Sequence, residues 1–190
     1  MSVTQARQLA EVSATGAVIG VLAGAVVGGM AAVVGHPVGW ALTGAVTLAV
    51  PLALLGAVYG VLVGLGRVKP GMFAPAAALW FVGFPLARLV HETGTPVLLG
   101  GSPTPPDDVV TFLAYQAMVS LGFAIGFTWL YERITPAWML RLKDDNPFAE
   151  RVYARYVAHA SAVWTAREQK RARRATPTGA AARGRTRPSS

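Results

Sequence analysis

Four apolar stretches, each long enough to cross a bilayer, constrain this chain more than any other feature. A hydrocarbon core about 30 Å thick takes about 20 predominantly apolar residues in a helix. The stretches run over about 12–34, 40–65, 72–90 and 109–131, and the first, second and fourth carry no interior charge. Within lipid, backbone N–H and C=O groups must be paired inside the spanning segment, and a helix does this without a partner strand. The sequence therefore predicts an all-α integral membrane protein of four transmembrane helices in two hairpins, followed by a cytoplasmic amphipathic helix and a disordered basic tail. Composition agrees, with 53% of residues apolar and 14% charged against about 25% charged in a soluble domain.

The connections set the organisation. Gly35-His36-Pro37 allows only a tight reversal, and Pro37 biases its predecessor away from helix, so the first two spans form a hairpin. Ala23-Gly24-Ala25 resembles a signal-peptide cleavage site. The apolar run, however, outlasts an h-region of about 7–15 residues and follows a single basic residue, so it is read as a retained span. The expected layout is a cytoplasmic N-terminus over 1–11, a membrane domain over 12–131, a juxtamembrane and amphipathic segment over 132–169 and a basic tail over 170–190.

Positive charge gives the orientation. Arg7 precedes the first span, Arg67 and Lys69 join the second to the third, and an Arg-rich tail follows the fourth, whereas the first connection has neither Lys nor Arg. Positive residues are retained on the cytoplasmic side, so both termini are expected there, in a cell inner membrane. Arg88 is the exception, near the outer end of the third span, where its neighbours Glu92, Asp107 and Asp108 are acidic. The excess of Arg over Lys, with abundant Ala, Gly and Val, suggests a GC-rich bacterial genome. Cysteine is absent, which removes disulfides, thiolate nucleophiles and Cys-based metal or haem sites. Palmitoylation and prenylation are excluded with it, and Ser2 stands where myristoylation needs glycine.

Two rows of glycines recur at four-residue spacing: Gly16, Gly20, Gly24 and Gly28 in the first span, and Gly56, Gly60 and Gly64 in the second. Each row lies on one side of its helix and permits the close backbone approach that drives helix association in lipid. The rows fit packing within one molecule, a homo-oligomer, or docking onto a membrane protein partner. Gly122 and Gly126 repeat the spacing once.

A candidate polar site gathers Arg88, His91 and Glu92 at the outer end of the third span, with Tyr115 and Gln116 at a matching depth in the fourth. Arg88 and Glu92 are spaced to pair on one helix face, and Pro85 can kink the span below them. An ionisable group inside a span is a candidate functional site because hydrocarbon makes it expensive, although Arg88 is near enough to the interface to snorkel. His36 and His91 invite a haem or metal proposal, but His36 sits in a turn and no carboxylate second shell is visible, so no cofactor is expected. No GxSxG, HExxH, P-loop or dinucleotide fingerprint occurs, and no catalytic residue is assigned.

In the tail, Asn146-Pro147 is a helix start, Asn as N-cap and Pro at the first helical position. Phe148, Val152, Tyr153, Tyr156, Ala160, Val163 and Trp164 then share one arc, with Arg151 roughly opposite and Arg155 and His159 flanking its edge. Such a helix suits the headgroup plane, with Arg151, Arg155, Trp164, Arg171, Arg173 and Arg174 as lipid contacts on anionic headgroups. Packing on the underside of the bundle, or on a cytoplasmic partner, is the competing arrangement. Nucleic acid binding by the basic cluster needs a partner that the positive-inside rule makes unnecessary. The expectation is a non-enzymatic accessory or scaffold subunit. Its rival is a small transporter or channel built around Arg88 and Gln116, with Pro51 and Pro85 as helix breaks.

Overall fold

The computed structural model describes residues 2–175. Its element order is α1 (Val3–Val33), α2 (Val38–Gly64), α3 (Phe73–Leu98), α4 (Val109–Leu142) and α5 (Pro147–Ala175), with no strand among the described residues. The first four helices are long and apolar enough to cross a membrane. They pack as two hairpins, α1 on α2 and α3 on α4, joined through α2 and α3. The ring closes loosely between α4 and α1.

Helix ends differ from the apolar boundaries for identifiable reasons. α1 begins at Val3 rather than near residue 12, because Ser2 and Gln5 form a capping box that satisfies orphan N–H groups at the start. At 31 residues α1 extends about 46 Å, so its polar first turns, including the Arg7–Glu11 ion pair at 3.1 Å, project past the apolar span. Pro96 does not end α3, which continues to Leu98 where the third span was expected to stop at 90. Its buried face persists through Ala76, Trp80, Phe84, Ala87, His91 and Thr95, so packing against α2 holds the helix beyond its apolar part. Likewise α4 runs through Pro136 to Leu142, past the expected end at 131. Its buried residues Tyr131, Thr135 and Met139 keep helical spacing.

The two glycine rows meet each other. Gly16 faces the Gly56 carbonyl so closely that a Cβ on either residue overlaps the other's backbone. Gly20 lies on the backbone of Leu52 and Ala53, Gly24 on Ala49, Gly28 on Ala45, Gly60 on Ser13 and Gly64 on the side chains of Leu9 and Val12. These contacts are all within one molecule. Dispersion between closely spaced backbones replaces the hydrophobic force that lipid does not supply. By contrast Gly29, Gly122 and Gly126 face nothing within 4 Å. The hairpin turn rests on Gly35, whose φ of +90° is left-handed and needs a residue without Cβ.

The other helices lock through aromatic rings. Trp80 of α3, wholly buried, stands edge-on to Phe123 and Phe127 of α4 at centroid distances of 4.6 and 4.8 Å. Tyr59 of α2 makes the same contact with Phe127 and Tyr131, at 5.3 and 5.0 Å. Edge-to-face pairs of this kind contribute about 0.5–1.5 kcal/mol each beyond their area.

Candidate functional site

Toward the end of the bundle that carries the α1–α2 turn, α2 and α3 share a polar cluster that the apolar pattern conceals. The Thr47 hydroxyl lies 2.8 Å from His91 Nδ1 and 2.8 Å from Thr95 Oγ1, and the Thr95 hydroxyl donates to the His91 carbonyl at 2.7 Å. All three residues are buried. Neither Thr47 nor Thr95 was visible as a site residue. The available signal was a threonine in a span opposite a histidine of matching depth, since a hydroxyl in lipid needs a partner. Thr47→Val is expected to lower the thermal midpoint in detergent by a few degrees, an interhelical hydrogen bond in membranes contributing about 0.6–1.7 kcal/mol. Thr93→Val, whose hydroxyl bonds only within its own helix, serves as the control. Equal midpoints for the two variants would remove this cluster as an α2–α3 clamp.

Arg88 and Glu92, one turn apart, form an ion pair on α3 at 2.5 Å, with side-chain exposures of 22% and 39%. The pair sits between two cavities. The larger, about 470 Å³, is lined by all four spanning helices, including Val26, Leu52, Phe84, Tyr115, Gln116 and Arg88. The second, about 410 Å³, shares Arg88 and adds His36, Trp40, His91, Glu92 and Thr104. One chamber is thus almost wholly apolar and the other mixed, with the guanidinium at their junction. Arg88, Glu92 and Gln116 are brought together here, whereas His91 turns from the ion pair toward Thr47. Gln116 is 7% exposed, and its amide has no hydrogen-bond partner among the described residues. Tyr115 also lines the chamber but is largely exposed. His36 stacks on Trp40 at 4.2 Å. Among the described residues no group of three or more His, Asp or Glu side chains is placed to hold a metal ion.

At the opposite end, α5 is mounted on the bundle. Asn146, 1% exposed, accepts from the backbone N–H groups of Phe148 and Ala149. It also donates to the Gln8 carbonyl at 2.7 Å and to Glu11 at 3.1 Å. Arg155 was expected at lipid; instead its guanidinium donates to the carbonyls of Val63 and Gly64 at 3.0 and 3.4 Å. Those carbonyls end α2; Val63 also accepts from the Gly66 N–H at 3.0 Å, and a cation there adds hydrogen bonds and complements the helix dipole. Burial, then the neighbouring Arg151, lowers the Arg155 pKa from the usual arginine value, yet arginine stays charged. Val152 and Tyr156 are buried beside it. Burial, then nearby Glu132, raises the Tyr156 pKa, keeping it neutral.

Beyond Val157 the helix stands exposed. Arg151 lies over the Phe148 ring at 4.7 Å, and Trp164 donates to Glu168 at 2.7 Å. The basic cluster with Arg171, Arg173 and Arg174 was expected in a disordered tail, but α5 is helical through Ala175. Arg, Lys and Ala are strong helix formers, so loss of the apolar arc at Lys170 did not end the helix. The remaining tail, 176–190, lies outside the described residues.

No family model matches the chain, and neither a curated protein nor a solved structure matches it. The class is therefore set by the fold: an all-helical protein with four helices fit to cross a membrane.

Proposed function

We propose that this chain is a non-enzymatic multi-pass membrane protein serving as an accessory or scaffold subunit, with both termini in the cytoplasm of a bacterial cell. The observation that carries the reading is the α5 mount. Asn146 and Arg155 fix the first turns to α1 and α2, while the remainder holds Trp164, Arg167, Lys170, Arg171, Arg173 and Arg174 outward. A fixed helix of that charge at a cytoplasmic face suits anionic headgroups and a membrane protein partner. The start of α1, the α2–α3 loop with Arg67 and Lys69, and α5 all lie at one end of the bundle, which supports the positive-inside orientation. Transport through the Arg88 chamber is the second reading. The packed rings of Trp80, Phe123 and Phe127 beside that chamber weigh against a polar path there.

Native mass spectrometry after gentle extraction tests the reading. A different protein in fixed ratio is expected, and a lone monomer or a closed homo-oligomer would overturn it in favour of transport. The headgroup contact has its own check, because the chain lacks cysteine and Val163→Cys accepts a single environment-sensitive dye. Its emission is expected to shift blue in phosphatidylglycerol nanodiscs relative to phosphatidylcholine, and the shift should vanish when Arg171, Arg173 and Arg174 are changed to Glu. Each basic residue near an anionic surface contributes about 1 kcal/mol. Identical emission in both lipids would show that the arm does not rest on the membrane.

A further inference from the structure

The seam between α1 and α4 is the open side of the bundle. The two helices meet where the Trp138 indole donates to the Glu11 carbonyl at 3.1 Å. Farther along, they line a crevice. A cavity of about 260 Å³ between Ile19 and Leu130 adjoins the 470 Å³ chamber, with Ala23, Val26 and Phe123 lining both. Val26 on the rim is exposed, which opens the crevice sideways, toward the surroundings of the bundle. From Gln116 to Leu130 the two adjoining cavities together follow α4 for about 21 Å, longer than the roughly 15 Å hydrocarbon depth of one leaflet.

Such a cavity accepts an acyl chain. Gln116, 7% exposed as a residue, lines its end, and its amide has no hydrogen-bond partner among the described residues. An amide that lines the chamber without a partner offers a donor to an acceptor lodged there. Just beyond stands the Arg88–Glu92 pair, at the border of the second, mixed chamber. Its two charges cancel, so the site offers one cationic and one anionic group side by side. A head with the complementary pair of charges matches both, whereas an anionic head leaves Glu92 opposed.

We propose that the α1–α4 crevice binds one zwitterionic phospholipid of the phosphatidylethanolamine type. One acyl chain lies along Val26 and Phe123, a glycerol ester carbonyl accepts from the Gln116 amide, and the phosphate and ammonium meet Arg88 and Glu92. The second acyl chain stays in the bilayer.

The test is native mass spectrometry of the full-length protein in mild detergent, given equal amounts of dioleoyl phosphatidylethanolamine, dioleoyl phosphatidylglycerol and dioleoylglycerol. One bound lipid per chain is expected, phosphatidylethanolamine at least fivefold over the others. Gln116→Leu and Val26→Trp, the latter filling the rim, should each lower occupancy at least fivefold while elution volume and helix content stay at wild-type values. If one variant fails to fold, the other decides, and the competition on the wild-type protein needs neither. The proposal is overturned by absence of a bound lipid, by phosphatidylglycerol or dioleoylglycerol binding as well as phosphatidylethanolamine, or by unchanged occupancy in the folded variants. A dimer that releases no lipid would assign the crevice to a second copy of the chain and overturn it as well.

Discussion

Gly16→Leu is expected to cut the amount of folded protein recovered from membranes at least tenfold, while Gly29→Leu on the same helix leaves it unchanged. Gly16 faces the Gly56 backbone with no room for even a Cβ, whereas Gly29 has nothing within 4 Å. A side chain at position 16 must push α1 away from α2, and the contacts along Gly20, Gly24, Gly28, Gly60 and Gly64 loosen with it. Overpacking commonly costs about 1–3 kcal/mol, and about 1.4 kcal/mol is tenfold in a folding equilibrium. Intrinsic propensity works in the opposite direction, since leucine is the better helix former by close to 1 kcal/mol. A loss at position 16 but not 29 is therefore steric. Size-exclusion profiles of fluorescent fusions would measure it, and equal monodisperse yields would remove the tight α1–α2 contact.

Asn146→Ala is expected to release α5, seen as at least tenfold faster tryptic cleavage after Arg151 and Arg155 in nanodiscs. Its carboxamide oxygen caps α5 through the N–H groups of Phe148 and Ala149, and its nitrogen binds Gln8 and Glu11 of α1. Loss of an N-cap costs about 0.5–2 kcal/mol, and a tertiary hydrogen bond about 1 kcal/mol more. Asn146→Asp separates the two roles. It keeps the acceptors for the cap but loses the donors and sets a carboxylate against Glu11, so cleavage should again accelerate although the helix start is preserved. Arg155→Gln should act in the same direction and less strongly, because the cap remains. Unchanged cleavage in the Asn146 variants would show that α5 is held by its apolar face alone, through Val152 and Tyr156.

How far the site was legible depended on how local its signal was. Arg88 and Glu92 are one helical turn apart, and their pairing follows from spacing. Gln116 was placed by depth, from antiparallel counting, and it does share a chamber with Arg88. Thr47 and Thr95 were overlooked because a hydroxyl in an apolar run looks neutral until its partner on another helix is known. Arg155 was assigned to lipid because its sequence neighbours show nothing of α2's last carbonyls, 91 and 92 positions away. Helices α1, α3 and α4 extend past the apolar stretches, which marked the membrane spans and not the helix ends. Capping extended α1 backward, and packing carried α3 and α4 past Pro96 and Pro136.

The sequence by itself determined that this is an all-helical chain with four segments fit to span a membrane, because hydrocarbon leaves the backbone no other open choice. It also determined the turn at Gly35 and the start of α5 at Asn146, both set by local stereochemistry. Only the tertiary structure decided which glycines face a helix and which face open space, since Gly28 and Gly29 differ by one position and by a whole neighbouring helix. It alone decided that Arg155 closes α2 and that α1 and α4 part over an unpartnered amide. Periodicity tells which side of a helix a residue occupies. What lies on that side is a contact across long sequence separation, and one helix does not encode it.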